Sequence, residues 1–296
     1  MEQFKGKVAV ITGAASGIGR ALADRSVQEG MKAVLADVEV EALAKTETDL
    51  KASGATVLAV RTDVSQARDV EALAQKTLEA FGAVHLLCNN AGVGSGVSIW
   101  ESTLQHWEWV MGVNLWGVIH GVRAFVPFML AQDTECHIVN TASQAGLASG
   151  PGLGVYKVTK HAVVSLSETL QHELAERAAK VRVSVLCPGN VNTRITESGR
   201  NRPGHVPPAA PPGPASGARL EALRQLISTG MPPVQVADAV FAALRKDRFY
   251  ILTHPEAKEA VRTRMEDILQ ERSPTPWVGV HGPLLRLRPE IATTAG

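Results

Sequence analysis

Tyrosine is nearly missing from this chain. Of 296 residues only Tyr156 and Tyr250 carry a phenol, and aromatic residues together make up 4%. Cysteine is scarce as well: Cys88, Cys136 and Cys187 are odd in number and widely spaced. That pattern excludes a disulfide framework and a zinc site, predicts no metal, and points to reduced, buried thiols in a cytoplasmic protein. No excess charge of one sign is present. Lys and Arg number 30 against 29 Asp and Glu, and they are scattered, so neither nucleic acid nor an anionic membrane is expected as a partner. No apolar run approaches the length of a membrane span. The polar segment Met1–Lys7 leads straight into a strand, so no signal peptide is expected.

What is present is ordinary globular composition, 45% hydrophobic and 20% charged, enough for a sizeable core. Short apolar, β-branched runs recur at Val8–Ile11, Ala33–Ala36, Val57–Arg61, Val84–Cys88, His137–Asn140, Val181–Cys187 and Phe249–Leu252. Helical patterns separate them: Arg20–Glu29, Glu39–Lys51, a helix capped by Ser65 and running to Phe81, Thr103–Leu130 with a disturbance near Pro127, and Tyr156 to about Ala179. Ala218–Thr229, Val234–Arg245 and a helix from Pro255 to about Arg272 follow. Alternating continuous apolar strands with helices implies an α/β chain: a single-domain, doubly wound parallel sheet of about seven strands with helices on both faces. Ligands of such sheets bind at the carboxyl ends of the strands. Gly13, Asp37, Asp63, Asn90, Ser143 and Gly189 all fall just past strand ends.

Two stretches carry chemistry. Tyr156 and Lys160, four apart in a helical pattern, share one face. A phenol of ordinary pKa near ~10 moves protons poorly at neutral pH. A cation one turn away favours the phenolate, and a phenol tuned in this way can exchange a proton with an alcohol or ketone oxygen. The second stretch is Thr12–Gly19, between a strand and a helix. Gly13 permits a tight turn, Gly17 lets backbone approach a pyrophosphate, and Gly19 lets the helix pack closely. The anion would rest on the helix N-terminus. No Gly-Lys-Ser/Thr follows, which excludes a nucleoside triphosphate loop. Asp37, ending the second strand, suits ribose hydroxyls and repels a 2′-phosphate.

These motifs together resemble the short-chain dehydrogenase/reductase family, in its subgroup of ordinary chain length. The resemblance covers about residues 5 to 253 and rests on Gly13…Gly17-Ile18-Gly19, Asn89-Asn90-Ala91-Gly92, Asn114, Ser143, Tyr156…Lys160 and Pro188–Thr193, in order. It implies a Rossmann-type fold and a set of roles. Tyr156 would be the general acid/base, Lys160 would tune it and hold the nicotinamide ribose, Ser143 would hold the substrate oxygen, and Asn114 would hold a relay water. Ser16 and Ile18 would line the phosphate turn beside the glycines. Asp63 and Val64 would contact adenine, Asn90 the adenosine ribose region, and Val191 and Thr193 the carboxamide. Thr159 departs from the family by standing where serine is frequent, and the chain beyond 254 is longer than typical.

The function expected is interconversion of a secondary alcohol and a ketone with NAD(P), NAD preferred over NADP. The neighbourhood of Asp37 offers only Arg20 as a compensating cation. The alternative is a nucleotide-sensing protein without turnover. An uncharged, hydrophobic small-molecule substrate is expected, because Ala142–Val155 has no charge before the helix and the 194–230 region is mostly apolar. That region, rich in Pro, Gly and Ala from 199 to 217, is either a linker or a mobile lid. Residues 1–254 form the catalytic domain, and 255–296 a helix and tail. Apolar residues on more than one helix face (Trp109, Trp116, Val163, Val164, Leu166) point to a second covered face, and the resemblance implies a homodimer or homotetramer.

Overall fold

In the computed structural model, which describes residues 1–94, 98–207 and 214–277, the seven apolar runs become seven parallel strands of one sheet. They are β1 Val8–Thr12, β2 Lys32–Asp37, β3 Val57–Arg61, β4 Leu86–Asn89, β5 Cys136–Thr141, β6 Val181–Cys187 and β7 Tyr250–Leu252, in spatial order β3-β2-β1-β4-β5-β6-β7. The nine α-helices among the described residues are α1 Gly17–Gln28, α2 Val40–Ala52, α3 Ala67–Phe81, α4 Leu104–Met111, α5 Gly117–Ala131, α6 Gly154–Glu176, α7 Pro214–Ser228, α8 Pro233–Arg245 and α9 Ala257–Leu269.

Strand alternation sorts the core into two layers. Ala9 and Ile11 of β1 face Leu22 of α1, Leu43 of α2 and Phe241 of α8. Val8 and Val10 face the other way, toward Leu73 of α3, Phe125 of α5 and Leu170 of α6. With both faces covered, the strands need no polar side, which is why they read as unbroken apolar runs. The strand order reverses between β1 and β4, so the crevice above their carboxyl ends is the natural ligand site.

Several boundaries differ from the sequence reading. The Thr103–Leu130 helix is not broken at Pro127, which sits inside α5. The irregularity is a π turn at Gly112–Trp116, centred on Asn114. By length and apolar character Leu104–Ala131 is able to cross a membrane, contrary to the expectation that nothing would approach that length. Here part of it packs within the chain, with α5 against α3 and α4 against α6. Ser65 does not cap α3: its hydroxyl donates to Asp63 Oδ1 (2.7 Å) and the helix begins at Ala67. Proline-rich sequence did not delay α7, which begins at Pro214 rather than Ala218 because proline suits a first helical turn. Part of the region read as a linker or lid, residues 208–213, and most of the tail, residues 278–296, lie outside the described residues.

The beginning of the tail is ordered by one carboxylate. Asp267, nearly buried, accepts from the Thr275 amide (2.6 Å) and hydroxyl (3.2 Å) and from Arg272 Nε. The chain then turns back, and the Trp277 amide donates to Ser149 O (3.0 Å) in the loop between β5 and α6.

Candidate active site

The glycine turn is set by contacts more than by flexibility. Gly13 and Gly17 have φ of +69° and +55°, which L side chains rarely adopt. A Cβ on Gly19 would lie 2.0 Å from Gly13 O, so that residue lets the helix close on its own turn as well as on the sheet. A Cβ on Gly17 would stand 3.0 Å from Thr193 Cγ2. Ser16 makes no side-chain cap, so the first amides of α1 are left for an anion. A cavity of about 590 Å³ opens beside this turn, lined by Ser16, Gly17 and Thr193 but not by Tyr156 or Asp37. An uncapped helix start, glycines pressed against neighbours and a strand-end carboxylate fit a dinucleotide.

Around that turn most of the expected residues are held by backbone. Asp37 accepts from the Ala15 amide through Oδ2 (2.9 Å) and the Glu39 amide through Oδ1 (3.0 Å), and burial raises its pKa. Arg20, the one cation foreseen as a 2′-phosphate partner, is committed elsewhere: its Nε donates to Asp24 (2.9 Å) and its Nη1 to Asp49 (3.3 Å) and Thr46 (3.2 Å). Asp63 is taken up by the amide and hydroxyl of Ser65. Val64 is buried, and a Cβ on Gly117 of α5 would reach its Cγ2 at 2.8 Å. Asn90 braces β4 against β1 by donating to Thr12 O (3.0 Å). Ile18 packs against the core, Val191 is buried beside its bridge to Met231, and Thr193 lies on Gly17.

The four catalytic candidates converge from β5, α6 and the π turn. Ser143 follows β5. Its hydroxyl acts on the Tyr156 phenol to lower its pKa, donates to Pro188 O (3.4 Å) and accepts from the Ala145 amide (3.1 Å). Lys160, buried, donates through Nζ to Thr141 O (2.8 Å) and stands 5.6 Å from the centre of the Tyr156 ring. Asn114 accepts from the Val93 amide (2.8 Å) and donates to Val93 O (3.0 Å) and Thr159 Oγ1 (3.3 Å). Thr159 in turn donates to Tyr156 O (2.7 Å), so threonine serves at this serine-frequent position. Asn114 Oδ1 and Lys160 Nζ lie 3.4 and 3.7 Å from one point, the place of a Cβ on Gly92.

The electrostatics depart from the simple expectation. Burial pushes the Tyr156 phenol up, opposed by the Ser143 hydroxyl, and brings the Lys160 ammonium down to about 8. Desolvation is the largest cause of both shifts, so the pair rests as neutral phenol beside ammonium below about pH 8. A neutral phenol beside a hydroxyl can donate a proton to a ketone oxygen.

Three residues escaped the sequence reading. Lys157, also buried, binds the carbonyls of Gly150 (2.6 Å), Pro151 (3.4 Å) and Gly152 (2.7 Å), clamping the loop ahead of Tyr156, and burial lowers its pKa to about 8. Thr12 Oγ1 accepts from the amides of Asn90 (2.9 Å) and Ala91 (3.0 Å). Gln144 is buried beside Ser143 with neither amide atom hydrogen-bonded among the described residues. The clue to Lys157 was a lysine at a helix position whose neighbours are buried. Thr12 and Gln144 left no signal, since a strand-end threonine and a loop glutamine are ordinary.

The short chain dehydrogenase family model matches residues 7–203. A crystal structure of a short chain dehydrogenase/reductase from Burkholderia phymatum in complex with NAD is 51% identical, covers 94% of this chain and all of that one, and superposes with a TM-score of 0.91. The CLA biosynthesis dehydrogenase/reductase of Lactiplantibacillus plantarum is 36% identical over 93% of this chain and 97% of its own length. The 1-deoxy-11-beta-hydroxypentalenate dehydrogenase of Streptomyces exfoliatus is also 36% identical, over 91% of each chain.

Proposed function

This chain belongs to the short-chain dehydrogenase family of oxidoreductases, and within it we propose an NAD-dependent enzyme that interconverts a secondary alcohol and a ketone on a hydrophobic, uncharged small molecule. The observation that carries this reading is the convergence of Tyr156, Ser143 and Lys160 beside a glycine turn that fits a dinucleotide. Bound at that turn, the nicotinamide cofactor supplies or accepts the hydride.

The chain's own groups do the rest. Ser143 orients the substrate oxygen and Tyr156 gives it a proton in reduction or removes one in oxidation. Lys160 holds positive charge under the phenol ring as the proton leaves. Asn114 fixes the helix turn beside Lys160, where a relay to solvent would start. Hydrogen bonds directed at an oxygen that gains charge act mainly in the transition state.

NAD preference is supported by Asp37 and Glu39 at the end of β2 and by the commitment of Arg20 to other carboxylates. An NAD complex of a protein 51% identical agrees with it. An alcohol substrate is supported by the hydroxy group in the name of the Streptomyces exfoliatus relative. A hydrophobic one is supported by the apolar cluster of Val93, Trp109, Val110, Val155 and Val206 beside the site. Three free, buried thiols fit a cytoplasmic location. The sensor reading is separated by one experiment: bind NADH, follow its fluorescence, and add ketones of aliphatic, aryl, steroid and polyol type. We expect binding followed by loss of signal with an uncharged apolar ketone. Binding without loss for any ketone would favour the sensor.

A further inference from the structure

The segment after β6 is fastened at both ends of the crevice. Ile195–Asn201 is a 3₁₀ helix. On one side Ser198 Oγ accepts from the Gly94 amide (2.8 Å) beyond β4, and Ile195 O lies so close that a Cβ on Gly94 would be 2.7 Å from it. On the other side three donors converge on one oxygen, Glu39 Oε1, beyond β2: Arg200 Nε (2.9 Å), Arg200 Nη2 (2.8 Å) and Asn201 Nδ2 (2.8 Å). Arg200 is braced from behind by donating to Arg194 O (3.0 Å). In the sheet β1 lies between β2 and β4. A strap fixed above β2 and above β4 therefore crosses the carboxyl end of β1, where the glycine turn and the start of α1 lie. Thr193, which leads into the strap, already touches the place of a Gly17 Cβ.

We propose that Glu39 and Arg200 are positioning residues that latch this strap across the phosphate-binding turn, so that a bound nicotinamide cofactor leaves only when their ion pair opens. The proposal rests on the cofactor reading above and adds a retention step to it. Glu39 also donates its own amide to Asp37, the ribose-side carboxylate, so the latch and the adenosine pocket share one backbone turn. Side chains about a quarter exposed at residues 39 and 200 leave the pair weak enough to open in each cycle. Its partners are 161 residues apart, so it ties two separate elements and adds nothing to a local helix. Holding the strap costs the chain little extra order, because Val206 is already buried against Val93 and Trp109.

The test is the dissociation rate of NADH, read by stopped-flow fluorescence after chasing with excess NAD. Glu39→Gln and Arg200→Met should each speed release roughly 5-fold, the scale of one partly exposed ion-pair network. The double variant should release no faster than either single one, because both break the same contact. Glu39→Asp and Arg200→Lys, which keep charge but lose reach or fork, should fall in between and serve if the first pair fold poorly. Unchanged release in all of them, with NADH still bound, would overturn the latch and leave the enzyme reading intact. A double variant that multiplies the effects to about 25-fold would show that the two residues act separately, and would also overturn it. Failure of the unaltered protein to bind NADH would instead count against the cofactor reading.

Discussion

At the scale of single residues the account turns on two groups whose pKa values burial drives apart, the Lys160 ammonium downward and the Tyr156 phenol upward. Lys160 is charged below about pH 8 and loses its proton as pH rises through that value, while burial keeps the Tyr156 phenol neutral across the same range. Reduction needs the phenol proton and gains from the ammonium, so kcat/KM for NADH should be flat in the neutral range and fall above about pH 8. Lys157 titrates in the same region, so the control is Lys157→Met: it should retain the alkaline limb, whereas a limb that vanished would assign it to the loop clamp. Ser143→Ala removes the hydroxyl proposed to hold the substrate oxygen with Tyr156 and should lower kcat by about 10²-fold, with NADH affinity unchanged in a fluorescence titration. The ratio of specificity constants should favour NAD over NADP. A ratio favouring NADP would mean that a base near Asp37 escapes its carboxylate partner.

At the scale of elements the glycines and the irregular turns decide. Gly19→Ala would place a methyl 2.0 Å from Gly13 O, a backbone atom that can move only by opening the turn, so NADH affinity should drop sharply in the same titration. Gly121→Ala would meet Asn89 Oδ1, also at 2.0 Å, in a fully packed layer, and should cost about 1–3 kcal/mol in thermal unfolding. The strands and the helix start were legible in the sequence because burial on both faces and a turn without side chains leave strong marks. The four catalytic candidates Asn114, Ser143, Tyr156 and Lys160 stood out in the sequence because they match the family's order and spacing. The π turn was not: an apolar helical pattern continues unbroken through Gly112–Trp116, and only the three contacts of Asn114 with Val93 and Thr159 reveal why it widens there. Neither was the fold-back of the tail, which hangs on Asp267, an ordinary acidic residue in sequence.

At the scale of the whole molecule one surface is left to explain. Of the five residues read as a second helix face, Trp109, Val163 and Val164 are buried within the chain, Leu166 is partly packed, and Trp116 stands 49% exposed. Trp116 lies beside His120, 5.7 Å away between ring centres, and with the exposed Leu104, Phe128 and Val158 it would supply the apolar surface of the homodimer or homotetramer expected over α4, α5 and α6. Trp116→Glu should shift the protein toward monomer in sedimentation at micromolar concentration, and a monomeric unaltered protein would remove the reason for the exposed ring. The central claim is that proton transfer runs through one phenol in a chain with only two. The measurement that meets it most directly is turnover of NADH-loaded Tyr156→Phe with the best ketone of the panel. Full NADH binding with turnover nearly abolished is the result expected; near-normal turnover would contradict the mechanism.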